Sequence, residues 1–150
     1  MRRIETTIDI DVTPEQAWAV LVDLDGHAEW NPFMSEIRGV AAVGERLTVT
    51  FTPPGRRATT FRPTVTAADP ARRFEWLGRL GIPGLFDGRH RFDLEPLADG
   101  RTRLVHSEEF RGVLVPLLWR SLATATRTGF EQLNAAFAAR CVAVVEQATR

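Results

Sequence analysis

The chain predicts an α+β fold in which a seven-stranded, curved antiparallel sheet wraps around one long C-terminal helix. Three patterns carry that expectation. Apolar and polar residues alternate from the start, the middle is a succession of short alternating runs separated by turn residues, and a Pro-free apolar periodicity of three and four residues closes the chain. All of this fits within 150 residues, the usual size of one domain. No linker, repeat or low-complexity segment interrupts it, so residues 1–150 read as a single domain.

Each element has a local cause. Ile4, Thr6, Ile8, Ile10 and Val12 alternate with Glu5, Thr7, Asp9 and Asp11, as in a strand with one buried face. Thr13-Pro14-Glu15-Gln16 follows as an N-cap with Pro in the first turn, and Ala17, Trp18, Leu21 and Val22 form a short helical stripe that ends near Asp23. Asp25-Gly26 breaks the chain, a second short helix spans His27 to Trp30, and Asn31-Pro32 stops it. Strands are then expected near Ser35–Gly39, Glu45–Thr52, Thr59–Ala67, Arg73–Arg79, Leu85–Glu95 and Arg101–Arg111, with turns at the intervening Gly, Pro and Asp clusters. From Leu117 to Ala148 the residues Trp119, Leu122, Thr126, Phe130, Leu133, Phe137, Cys141 and Val144 define a long amphipathic helix, with Pro116 in its first turn.

Composition excludes several function classes. Basic and acidic residues number 19 each, so no global positive field draws the chain to nucleic acid or to an anionic membrane. Lys and Tyr are both absent, which removes Schiff-base and Tyr-based mechanisms. Cys141 is alone, so neither an internal disulfide nor a Cys-based metal site can form. No apolar run is long enough to span a bilayer, and the alternating N-terminus does not read as a signal peptide. The expectation is a cytoplasmic protein.

A curved sheet covered by one helix about 10 Å wide leaves residual space unless large side chains fill it. Gly129 within the long helix either leaves room for a ligand or lets the helix approach the sheet. At this point the residues carry a resemblance. Ile8 to Trp18, Trp30-Asn31-Pro32-Phe33, Glu109-Phe110-Arg111-Gly112 and Gly129-Phe130-Glu131-Gln132-Leu133-Asn134 resemble the polyketide cyclase/dehydrase branch of the START-like, helix-grip (SRPBCC) superfamily. The similarity spans essentially the whole chain. It implies a helix-grip fold with a deep hydrophobic pocket between sheet and long helix; it implies no common catalytic set and no cofactor.

The polar residues of that pocket follow from register. If Ala98-Asp99-Gly100 is a three-residue hairpin loop, Leu97 pairs with Arg101, His90 falls opposite Glu108, and Phe92 opposite His106. His90, His106 and Glu108 then point inward as candidate acid–base groups, or as polar groups that simply satisfy one another. As metal ligands the three have suitable types, but their spacing matches no motif. From the sheet and the first short helices, Trp30, Phe51, Phe61, Trp76, Phe92 and Phe110 are candidate ligand contacts. The long helix adds Trp119, Thr126, Phe130 and Leu133. Arg89 and Arg91 read as solvated cross-strand partners on the outer face, with Glu109 opposite Arg89. The Gly81-to-Phe86 stretch reads either as a gate over the pocket or as an ordinary hairpin loop.

Two functions stay open. One is a carrier or sensor of a small hydrophobic molecule such as a polyketide, lipid or aromatic metabolite, acting alone or as a homodimer. The other is a cofactor-free cyclase or dehydratase using His90, Glu108 and His106.

Overall fold

A computed structural model describes residues 1–150. Its elements follow in the order β1 (Arg2–Ile10), α1 (Pro14–Val22), α2 (His27–Trp30), β2 (Met34–Arg38), β3 (Thr48–Phe51), β4 (Thr59–Phe61), β5 (Thr64–Asp69), β6 (Arg73–Arg79), β7 (Asp87–Pro96), β8 (Thr102–Arg111) and α3 (Val115–Ala148). The strands are all antiparallel, as a five-stranded sheet β1-β8-β7-β6-β5 and a three-stranded sheet β2-β3-β4.

The count of eight strands corrects the expected seven, and the cause is Pro63. The run expected from Thr59 to Ala67 is broken there into β4 and β5, because Pro donates no hydrogen bond to a ladder. Register survives the break. Val49 pairs with Phe61, Leu47 N–H donates to Pro63 O at 2.8 Å, Arg46 bridges Thr64, and Val65 N–H donates to Glu45 O at 2.9 Å. The two sheets are therefore joined at one edge and form one curved wall.

Helix starts follow local chemistry. Thr13 Oγ1 accepts from Gln16 N–H at 3.2 Å while Gln16 Oε1 accepts from Thr13 N–H at 2.9 Å, a reciprocal capping box at the start of α1. After α2, Asn31 Oδ1 accepts from the backbone N–H of Phe33 and Met34, and Asn31 Nδ2 donates to His27 Nδ1 at 3.0 Å. His27 Nε2–H donates to Leu21 O at 2.8 Å. That arrangement suits only a neutral imidazole, and burial lowers its pKa to about 4.

Helix α3 crosses the concave face and buries Phe130, Leu133, Phe137 and Cys141 completely. Burial pushes the Cys141 thiol up to about 12, so it acts as a small apolar side chain. No helix is long and apolar enough to cross a membrane. On the outer face, Arg89 does not pair with Glu109, although the two are in register. Instead Glu75, only 5% exposed, accepts from Arg89 and Arg91 at 2.7 Å each and from Thr66 at 2.8 Å, while Glu109 accepts from Arg3 at 3.0 Å. Burial alone would raise the Glu75 pKa, but those three donors hold it below the usual carboxylate range.

Gly129 resolves toward close packing. A Cβ there would lie 2.3 Å from the ring of Phe33, which is itself buried. The helix therefore meets the β2 side of the wall directly at this point. Gly129→Ala gains up to about 1 kcal/mol of helix propensity but forces the Phe33 ring aside, at roughly 1–3 kcal/mol for overpacking. We expect a net loss of stability, read as a lower urea midpoint. A Gly129→Ala midpoint at or above wild type would show that Phe33 yields freely.

Candidate functional site

A cavity of about 240 Å³ lies between the wall and the N-terminal half of α3. Its apolar walls are Phe33, Phe51, Phe61, Trp76, Phe86 and Phe110, with Leu122 and Thr126 on the helix side. Two glycines make the hollow. Gly78 and Gly88 are directly paired across β6 and β7 and both line the space, so the sheet presents no side chain where its neighbours present rings. Arg56, Arg57 and Arg79 stand at the mouth.

One carboxyl enters this space. Glu108 lines the cavity, and its Oε1 lies 2.7 Å from where a Cβ on Gly88 would stand. The missing side chain at Gly88 is what gives the carboxyl its room. Behind Glu108 the hairpin has the expected register: Leu97 N–H donates to Arg101 O, His90 faces Glu108 and Phe92 faces His106. Gly100, at φ +84°, takes the left-handed position that such a loop needs.

The polar groups form a chain through the core. Thr6 Oγ1–H donates to the backbone O of His106 at 3.5 Å, and Asn134 Nδ2 donates to Thr6 Oγ1 at 2.8 Å. Asn134 Oδ1 is then left to accept from His106 Nδ1–H, also at 2.8 Å. His106 Nε2 is consequently bare and accepts from His90 Nε2–H at 2.7 Å. That leaves His90 Nδ1 as an acceptor. It has no closer partner than Glu108 Oε2, 3.4 Å away, a long contact for a hydrogen bond. Proton positions are thus set from Thr6 as far as His90, whose Nδ1 faces Glu108 as an acceptor without a hydrogen-bond partner.

Burial agrees with that assignment. Both imidazoles are fully buried. His106 is sandwiched between Phe92 and Phe130, with centroids at 4.4 and 3.7 Å, and His90 stacks on Trp76 at 4.9 Å. Desolvation lowers His90 to about 3 and takes His106 well below its ordinary value, helped by His90 beside it. Desolvation likewise raises Glu108 to about 8. The His90–Glu108 contact is therefore one between neutral groups, not an ion pair.

The expected site residues divide into three sets. Phe51, Phe61, Trp76, Phe110, Thr126 and Glu108 come together around the cavity. His90, His106, Phe92, Phe130 and Leu133 lie behind its wall, fully or almost fully buried. The last two of the expected set lie away from it. Trp30 packs on His27 and Phe137, with centroids at 4.6 and 5.5 Å. Trp119 packs edge-on against Phe110 at 6.0 Å under the Arg2 guanidinium. Sequence reasoning missed Asn134 and Thr6 as partners of the histidines, Gly78 and Gly88 as the makers of the hollow, and Arg56 at the mouth. Asn134 had a signal: it stands on the apolar stripe four residues after Phe130 and three before Phe137.

The neutral groups set a pH dependence whose sign can be worked out. Below about pH 6.5 the unfolded chain protonates His27, His90 and His106, which the folded chain keeps neutral, so stability falls on acidification. Between about 6.5 and 8 the unfolded chain has already lost the Glu108 proton that the folded chain retains, so stability falls as pH rises. Thermal melting across pH 5 to 9 should therefore peak near pH 6.5, with roughly 1–2 kcal/mol lost on the alkaline side. In Glu108→Gln the decline between pH 6.5 and 8 should vanish, leaving only the one that the Cys141 thiol contributes as pH nears 9. A variant that keeps the earlier decline would locate the retained proton elsewhere.

The geometry can be set beside known proteins. The sequence profile described as "Polyketide cyclase / dehydrase and lipid transport" matches residues 1–146. No curated protein matches the chain by sequence. Among solved structures it is similar to the Zhui aromatase/cyclase from Streptomyces sp. R1128, with a TM-score of 0.78 and 18% identity over 96% of this chain and 95% of that one. A START superfamily protein from Mycobacterium smegmatis aligns with a TM-score of 0.72 and 18% identity over 95% and 98% of the two chains. Norcoclaurine synthase from Thalictrum flavum gives 0.70 and 14% over 94% and 86%. At these identities the structural likenesses speak for the helix-grip fold; the profile match over nearly the whole length makes this chain a member of the polyketide cyclase/dehydrase and lipid transport family.

Proposed function

We propose that the chain binds a small, largely apolar molecule carrying a hydroxyl or similar hydrogen-bond donor in the cavity between sheet and α3, with Glu108 as its polar contact. One observation carries the reading: a single carboxyl, held neutral, in a hollow whose apolar walls are mostly aromatic. Of the two carboxyl oxygens Oε2 is the one near His90, at 3.4 Å, and Oε1 beside Gly88 is the one left to accept from a ligand. A cavity of 240 Å³ lies just below the usual span of roughly 300–1,000 Å³ for ligand pockets, so the ligand is of one- or two-ring size. Phe51, Phe61, Trp76, Phe110 and Thr126 serve as its contacts in this reading. Trp30, Phe92, Trp119, Phe130 and Leu133 serve as packing around the site. No cofactor is needed.

A second reading is cofactor-free acid–base catalysis of the cyclase or dehydratase kind, the kind named in the Zhui relative. What favours it is the Glu108 pKa of about 8, close to the value at which one group both gives and takes a proton at neutral pH. Glu108 would be the catalytic residue, since it alone of the three reaches the cavity; His90 and His106 would position it and set its protonation.

Calorimetry with paired probes tests the binding reading. 2-Naphthol should bind more tightly than naphthalene by about two- to tenfold, the net worth of one hydrogen bond, and Glu108→Leu should erase that preference while keeping naphthalene affinity. Equal affinities in wild type would remove Glu108 as the polar contact. For the catalytic reading, exchange of the α-hydrogens of 2-tetralone with deuterated solvent is followed by NMR. A catalyst should lose roughly 10²- to 10⁴-fold in rate in Glu108→Gln, whereas a binder should show no rate above the buffer control in either protein.

A further inference from the structure

The balanced total charge conceals an uneven distribution. Three segments surround the cavity mouth: residues 53–63, 79–86 and 111–122. They hold Arg56, Arg57, Arg62, Arg79, Arg111 and Arg120 but no Asp or Glu. Arg79 and Arg111 have distant carboxylate partners, Asp87 at 3.8 Å and Glu109 at 3.9 Å. The other four pair with no carboxylate, and Arg56 instead donates to Ser121 O at 3.2 Å, which ties the β3–β4 loop to α3. Helix α3 adds to the positive end. It starts here with Leu114 at the N-cap and no acid in its first turn, so its N-terminal dipole faces outward uncompensated.

The same end exposes aliphatic side chains. Leu80, Ile82, Val113, Leu117 and Leu118 are among the few large apolar residues left on the surface, and Ile82, Val113 and Leu117 are 71–81% exposed. They belong to one patch. Val113 N–H donates to Gly84 O and Leu114 N–H to Leu85 O, both at 3.1 Å, seating the β6–β7 loop on the start of α3. Leu118 stands one helical turn before Leu122, which lines the cavity. Gly81 and Gly84, at φ +74° and +84°, hold Ile82-Pro83 out as a tip. Single exposed aliphatics are ordinary; five on two joined segments are a surface.

We propose that this end of the molecule docks on an anionic lipid surface. The aliphatic residues enter the headgroup boundary, the arginines pair with lipid phosphates, and the cavity mouth faces the bilayer, so an apolar ligand passes between lipid and cavity without crossing bulk water. Other occupants fit less well. A second copy using the same patch would set the arginines of one protomer against those of the other, because a two-fold interface is self-complementary. Nucleic acid would match the charge but leave the aliphatic tip unused. The inference concerns the mouth and does not depend on the acid–base reading of Glu108.

Co-sedimentation with vesicles tests it, using phosphatidylcholine alone and phosphatidylcholine with about one third phosphatidylglycerol. Wild type should pellet with the anionic vesicles only, and less so as salt shortens the screening length to a few ångströms, about 3 Å at 1 M. Arg57→Ala with Arg120→Ala should weaken binding roughly 20- to 30-fold, at about fivefold for each arginine. Ile82→Ser with Leu117→Ser should weaken it at least tenfold. All four positions are exposed, and melting curves confirm that each variant is folded. The proposal is overturned if wild type leaves the anionic vesicles unbound. It is also overturned if the serine variant pellets with the anionic vesicles as wild type does, which would leave the aliphatic tip without a role and reduce the contact to charge alone.

Discussion

Four polar side chains cross the core of this protein in a hydrogen-bonded line that ends facing a fifth, Glu108. Thr6 on β1 orients Asn134 on α3, Asn134 orients His106 on β8, His106 orients His90 on β7, and His90 turns toward Glu108. An unpaired polar group in such a place costs roughly 1–3 kcal/mol, so the line has little tolerance for a break. The strands β1, β8 and β7 are already joined to one another by their ladders; the line adds α3 to them, and the rest of the helix's contact with this wall is mostly apolar packing. Apolar packing lets a helix roll or slide on a sheet at modest cost. A hydrogen bond from Asn134 to each of two strands does not, and it fixes which face of α3 looks at the cavity. The aromatic shell is part of the same constraint: Phe92, Phe130 and Trp76 keep water from the imidazoles, and that desolvation keeps them neutral well below pH 6.5.

The cavity follows from where bulk is placed and where it is withheld. At Gly129 the helix has no side chain and Phe33 fills the contact, so the middle of α3 is pressed to the wall. Toward the N-terminus the helix sits over Gly78 and Gly88, a cross-strand pair with nothing to offer it. Buried helix residues mark the division: Thr126, Gly129, Phe130, Leu133, Asn134, Phe137 and Cys141 are buried, whereas between Val115 and Thr126 none is. One half of α3 is core and the other half is a cavity wall. Glu108 stands at the border, its Oε2 toward the core chain and its Oε1 toward the hollow.

Much of this was legible in the sequence because the signals were local or periodic. The alternation from Ile4 to Val12, the cap at Thr13, and the Ala98-Asp99-Gly100 loop with its register each rest on a few adjacent residues, and that register alone brought His90 to Glu108. The end of the strand at Pro63 was also local, but the alternation on either side outweighed it; the ladder resumes in the same register beyond the Pro, so both signals were real. What was not legible depends on distances across the chain. The bond of Thr6 to Asn134 spans 128 positions, and nothing near either residue announces the other. Trp30 and Trp119 have the size and polarity of ligand contacts, but residue type cannot say whether a ring faces the hollow or packs beside it. The ion triad at Glu75 was hidden for the same reason: a carboxylate between two hydrophobes in a strand reads as solvent-facing, and only the approach of Arg89 and Arg91 from β7 encloses it.

The distribution of charge and the distribution of protons are linked through one helix. Inside, the buried histidines and Glu108 carry no charge: three imidazoles are neutral and the carboxyl retains its proton. Outside, charge is spread unequally: six of the 19 arginines lie in the three segments around the mouth, and those segments hold no carboxylate. A cationic rim favours an anion near the mouth, yet Glu108 within the cavity stays protonated, because desolvation acts on the carboxyl directly while the exposed rim charges are screened by water. In the proposed reading the rim and the interior therefore meet different things: an apolar body with a hydrogen-bond donor at its inner end fits the interior, and a negatively charged surface fits the rim.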